Sequence, residues 1–227
     1  RWVADRALQL IERSVQHHPL FLQISFPDPH HPFEAPERFL SMHSPDDMSE
    51  PVPAPEQWDA LPPHFAGHHD GRHPLFRGKQ QLHEFTPEFW RRVRLHYYAM
   101  ITFIDEQVGR IMEAVRQLER PTVVVFTSDH GELLGDHGLL FKGLYHYDSI
   151  LKVPLIVAGD GIEAGVREEQ VQEIDIMPTL LGLAGGGAPC ECQGRLLPGL
   201  GGSHGYEFTL SEQCAPWYTP TLRVQTL

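Results

Sequence analysis

Residues 122–127 form a β-branched apolar run, Thr-Val-Val-Val-Phe-Thr, that stops abruptly at Ser128-Asp129-His130-Gly131. A run of this kind reads as a buried strand, the sort that sits in a sheet covered by helices. Open α/β sheets present their functional groups just outside the carboxyl ends of such strands. An adjacent carboxylate and imidazole at that position, followed one short loop later by Lys142, make half of a site for a divalent metal and an anion. The chain offers no evident nucleophile and no further metal ligands.

The surrounding pattern supplies helices and more strands. Residues 2–17 place Val3, Ala7, Leu10, Ile11 and Val15 at helical spacing, and residues 20–26 read as a buried strand that ends in a Pro-rich cluster. Thr86 and Pro87 open a long helix as N-cap and first helical residue. Its apolar stripe comprises Phe89, Val93, Tyr97, Ile101, Ile104, Val108, Ile111, Met112 and Val115. A strand over residues 153–158, a helix over 173–184 with Pro178 in its first turn, and a last strand near 207–211 follow. This order predicts an α/β fold, a largely parallel sheet flanked by helices. Residues 40–85 show little periodicity and are expected to form a long loop or insertion, either shaping substrate specificity or packed by its few aromatics. The glycine-rich stretch 185–205 carries no phosphate-binding pattern and reads as a linker.

Composition removes several function classes. With 227 residues and 41% hydrophobic content the chain can bury a core of domain size. A formal charge of -12 argues against nucleic-acid backbone binding, leaving room only for a local anion pocket. No apolar run approaches the roughly 20 residues that span a bilayer, and no stretch reads as a secretory signal. The three cysteines, Cys190, Cys192 and Cys214, form no paired framework and are expected to be reduced thiols, favouring a reducing compartment.

Each candidate group has a plainer reading beside the functional one. Asp129 and His130 could be a turn cap and a solvent-exposed imidazole; Gly131 and the repeated signal Gly135-Asp136-His137-Gly138 favour the functional reading. Mixed carboxylate and imidazole donors suit Mn²⁺ or Zn²⁺, whereas carboxylates alone suit Ca²⁺ or Mg²⁺, so the residues leave the metal open. Lys142 lies in an apolar setting, where it either snorkels to water or offsets charge on a bound oxyanion. His30 is a turn residue or an anion donor. His64, His68, His69 and His73 lack partner cysteines and fixed metal-site spacing, Cys190-Glu191-Cys192 has the wrong spacing for redox or zinc chemistry, and Ser128 lacks a nucleophile-elbow context.

TSDHGELLGDHGLLFKG followed by VPLIVAG resembles the core signature of type I sulfatases and phosphonate monoester hydrolases of the alkaline phosphatase superfamily. Residues 21–39 are similar to the family's strand and P-H-x-P loop, residues 97–115 to its long helix, and residues 173–185 to its later helix. The resemblance implies an alkaline-phosphatase-like partial domain over 1–205 and the start of a truncated C-terminal subdomain over 206–227. It implies Asp129 as a metal ligand and His130 as a ligand or substrate contact. Lys142 matches the lysine on the sulfate or phosphonate, His30 the P-H-x-P imidazole near that group or the leaving oxygen, and His137 a supporting or substrate-side position. A divalent metal, Ca²⁺ foremost with Mn²⁺ or Zn²⁺ as alternatives, and a small-molecule or carbohydrate sulfate or phosphonate ester are the implied partners.

The family's nucleophile motif, Cys/Ser-x-Pro-Ser-Arg, whose first residue becomes formylglycine, does not occur in the chain, nor does the early aspartate pair. Both are expected upstream of Arg1, so the chain reads as part of a sulfatase and is expected to be inactive by itself. Phosphonate or phosphate diester hydrolysis, a non-catalytic binding protein on the same fold, and a purely structural domain are the alternatives.

Overall fold

Helix α1 (Trp2–Ser14) turns Ala4, Ala7 and Ile11 inward, and these pack with Ile111 as a buried cluster. A computed structural model describes residues 1–14, 19–62, 64–65, 85–187, 191–214 and 223–226. They fall into two units, residues 1–122 with 132–141 and residues 123–131 with 142–227.

In the first unit α1 and the short helix α2 (Glu37–Leu40) both contact α3 (Pro87–Arg116). Small side chains at positions 4 and 7 let α1 approach closely, and Arg110 of α3 donates to Asp5 at 2.7 Å beside this contact. The inward arc of α1 differs from the expected one: Leu10 is 47% exposed and Ala4 takes its place, because the arc runs through 4, 7, 8 and 11. Val15 lies outside the described residues. Leu22, Ile24 and Phe26 pack on the same cluster at every second position, while Phe21 is exposed. That alternation is strand-like, yet residues 20–26 form no β-ladder among the described residues.

Helix α3 begins as its sequence predicts, with Thr86 Oγ accepting the Phe89 N–H at 3.3 Å and Pro87 in the first turn. Its buried residues are Trp90, Arg94, Ala99, Met100, Gln107 and Ile111, so the predicted stripe is only partly inside and Ile101 is exposed. Neighbours on more than one side make the difference, since Phe39 of α2 meets Phe103 at 5.1 Å on one flank. The insertion is structured where it is described: 3₁₀ turns at Pro45–Asp47 and Trp58–Ala60 flank buried Met48. Of His64, His68, His69 and His73, whose spacing argues against a zinc site, the described residues include only His64.

The second unit contains β1 (Val123–Thr127), α4 (Asp148–Leu151), β2 (Leu155–Gly159), α5 (Ile176–Leu183), β3 (Ser211–Cys214) and β4 (Arg223–Thr226). The expected parallel arrangement is not what pairs here: β1 runs antiparallel to β2 with Val125 opposite Val157, and β3 runs antiparallel to β4. A parallel partner needs a crossover of a dozen or more residues, usually a helix laid across the sheet. Between β1 and β2 the only α-helix is the single turn α4, and the chain returns antiparallel.

A 3₁₀ turn at Glu173–Asp175 leads into α5, and Pro178 is buried in the first turn of α5 where a missing N–H costs nothing. Asp175, only 1% exposed, accepts from the N–H groups of Gln172 and Arg195 and from the Tyr206 hydroxyl at 2.7–2.8 Å. Thr179 donates to the Asp175 carbonyl and accepts from Leu197 N–H. These bonds bind residues 195–206 to α5, so the described part of the glycine-rich stretch is an anchored loop and not a linker. Leu210 gives its N–H to Gln172, which holds residues 206–210 against 170–172 and starts the hairpin strand later than expected.

Candidate active site

The turn after β1 is built from its own side chains. Ser128 Oγ donates to the His130 carbonyl at 3.0 Å, and Asp129 Oδ1 accepts the His130 N–H at 3.0 Å. Gly131 donates to the Ile150 carbonyl at 2.9 Å, which draws the turn onto the segment after Lys142. A Cβ at position 131 would lie 1.9 Å from the Ser149 carbonyl oxygen, so only glycine permits this approach.

That turn sets the chemistry of His130. Its Nδ1 lies 2.8 Å from the Gly131 carbonyl, and because a carbonyl only accepts, Nδ1 carries the proton. Nε2 then carries the lone pair and lies 3.9 Å from Asp129 Oδ2. Two donors bound to one ion at ~2.0–2.4 Å stand ~3–4.5 Å apart, so this pair can share a cation. An Nδ1–H bonded to a carbonyl is also how metal-ligating histidines are usually oriented. The Asp129 side chain is 87% exposed and therefore accessible to a ligand.

Nothing in the sequence pattern points to Glu173 as a site residue. Burial pushes its carboxyl up first, the charge of Asp129 raises it further, and His130 opposes the shift. Two carboxylates and an imidazole thus share one electrostatic neighbourhood, which a divalent cation would relieve. An acidic residue opening a helix already has an explanation in the helix dipole, and no spacing rule ties position 173 to 129. Among the described residues no group of three His, Cys, Asp or Glu side chains is close enough to hold a metal. The donors present fit part of a coordination sphere.

Lys142 belongs to the same unit as Asp129 and His130, and its Nζ is withdrawn from solvent. Leu144 and Tyr145, at 2% and 1% exposure, follow it and are buried. His30 and His137 belong to the other unit. His30 lies on the rim of a cavity of about 340 Å³ lined by Pro27, Asp28, His30, His31, Pro32 and Glu34. Its Nδ1 donates to the His31 carbonyl at 2.6 Å, and the two rings stack at 4.1 Å. His137 is half-buried, has a left-handed backbone (φ 57°), and gives its N–H to the Val52 carbonyl at 2.8 Å.

Comparison with known proteins assigns the architecture. The sulfatase family model matches residues 2–186. The chain is 38% identical over 193 residues to the multifunctional alkaline phosphatase superfamily protein PehA of Trinickia caryophylli, covering 79% of this chain and 37% of that protein. It is 32% identical over 170 residues to a choline-sulfatase of Rhizobium meliloti, covering 74% of this chain and 32% of the relative. The phosphonate monoester hydrolase SpPMH of Silicibacter pomeroyi superposes with a TM-score of 0.78 at 27% identity, covering 93% of this chain and 43% of that one. The chain thus spans less than half the length of each of these relatives. On its matched residues and its superposition, the chain belongs to the sulfatase family of the alkaline phosphatase superfamily.

Proposed function

We propose that this chain forms the substrate-side part of a metal-dependent hydrolase of sulfate esters. The observation that carries the reading is the strand-end turn, where His130 gives its Nδ1–H to Gly131 and turns Nε2 toward the space beside the Asp129 carboxylate. Asp129 and His130 would supply part of the coordination sphere of a divalent cation, Ca²⁺ foremost with Mn²⁺ or Zn²⁺ as alternatives, and such a cation would provide Lewis-acid polarisation of the ester oxygens and the nucleophile. Lys142 brings a desolvated positive charge to the transferring group, where it counters the charge that develops on the non-bridging oxygens. On the resemblance of its loop to the family's P-H-x-P segment, His30 is the candidate hydrogen-bond donor or acid for the leaving group, its ring orientation set by the bond to the His31 carbonyl. His137 takes a supporting or substrate-side position. The formylglycine nucleophile lies outside these 227 residues, and residues 206–227 open a C-terminal subdomain.

A second reading, hydrolysis of phosphonate or phosphate diesters, draws on the superposition with SpPMH and the identity to PehA. Every residue named above serves either chemistry, so kinetics must separate them. In the full-length polypeptide that carries this chain, aryl sulfate and aryl phosphonate monoester hydrolysis are measured side by side. The sulfatase reading expects the larger kcat/KM on sulfate, and a larger value on phosphonate moves the second reading forward. Lys142→Ala should lower kcat/KM on the preferred ester by about 10²–10³-fold, the typical cost of one charge-stabilising donor. The 227-residue chain alone should show no turnover above its Lys142→Ala control.

A further inference from the structure

Arg94 is a charged side chain in the middle of helix α3, 8% exposed, and each of its three guanidinium nitrogens donates a hydrogen bond. Nε donates to the Leu134 carbonyl at 3.2 Å, one terminal nitrogen to Ser49 Oγ at 2.8 Å, and the other to Asp136 Oδ1 at 2.6 Å. The same Asp136 oxygen accepts the Val52 N–H at 2.9 Å, and Val52 in turn accepts from His137 N–H. Helix α3, the insertion near residues 49–52 and the loop 134–137 are thereby fastened at one point.

The loop so fastened needs fastening. Leu134, His137 and Phe141 all take positive φ, at 49°, 57° and 67°, a region that non-glycine residues occupy at a cost and keep only when their surroundings hold them there. Its last residue, Phe141, sets its ring 4.2 Å from the ring of His31. His31 stacks under His30 and accepts its Nδ1–H. A continuous line of contacts therefore joins the Arg94–Asp136 ion pair to the candidate leaving-group histidine, all within one unit.

We propose that Arg94 and Asp136 are positioning residues, a latch that fixes the strained loop 134–141 and, through Phe141 and His31, the orientation of the His30 imidazole. The catalytic meaning rests on the role given to His30 above, but the orientation itself does not, so the two fail separately.

The test is NMR of the 227-residue chain with labelled histidine rings at fixed pH. Wild-type His31 should show resonances displaced upfield by the Phe141 ring, and Phe141→Leu should remove that displacement. Arg94→Met alone strands a half-buried carboxylate, so the informative variant is Arg94→Met with Asp136→Leu, which removes both partners. It should lose the His31 displacement and move the His30 signals. Arg110→Met, which cuts the Arg110–Asp5 bond of the same unit, should leave both histidines in place. Histidine signals unmoved in the double variant, or moved equally by Arg110→Met, would overturn the latch. A wild-type His31 without upfield displacement would do the same, because the Phe141 contact would not exist.

Discussion

Two glycines show how differently single positions carry this structure. Gly131 lies against the peptide after Ser149 so closely that any side chain must displace backbone, whereas a Cβ at Gly109 of α3 would meet nothing within 4 Å. Gly131→Ala should therefore destabilise by on the order of 3 kcal/mol, in the range of strong steric lesions. Gly109→Ala should stabilise by roughly 0.5–1 kcal/mol, because alanine is the better helix former. Urea denaturation of the two variants checks the contrast, and equal effects would mean that the turn tolerates a shift. The same comparison explains what was readable at this scale. Asp129, His130, Lys142 and His30 stood out because strand-end chemistry uses particular residue types next to each other. Glu173 did not, since its approach to Asp129 is made by tertiary folding alone.

Helix α3 joins a start set by local capping to a buried face set by packing. Its start was legible from Thr86 and Pro87, because capping is local chemistry. Its buried face was not, because contacts on several sides bring Arg94 and Gln107 inside, and a single apolar stripe cannot foresee that. Tyr97 on this helix has its hydroxyl pushed up to about 12, by burial first and by the charge of Glu132 second. Below the ordinary tyrosine value of about 10 both folded and unfolded chains keep the proton, so Tyr97 adds no pH dependence there. Above it the unfolded chain releases the proton while the folded chain holds it, and stability falls as pH rises toward about 12. Tyr97→Phe should flatten that alkaline fall, as read from denaturation midpoints across the range; an unchanged slope would place the titration elsewhere.

For the whole molecule, the α/β character and most elements were legible in the hydrophobic periods, and the family in its motifs. The strand pairing was not. A buried-looking strand specifies that it needs neighbours but not which ones or in which direction, and β1 takes β2 antiparallel after a connection whose only α-helix is a single turn. Residues 191–206 misled for a different reason, because their glycines hide an anchor provided by Asp175 and Thr179 on the preceding turn and helix. What joins these observations into a function is the claim that the Asp129–His130 turn is one wall of a metal site. Calorimetric titration of Mn²⁺ and Ca²⁺ into the 227-residue chain, beside Asp129→Asn and His130→Ala, tests it most directly. Weak binding is expected, micromolar or weaker because only part of the ligand set is present, and it should disappear in both variants; binding that both variants retain unchanged, or no binding by the parent chain, would contradict the metal site.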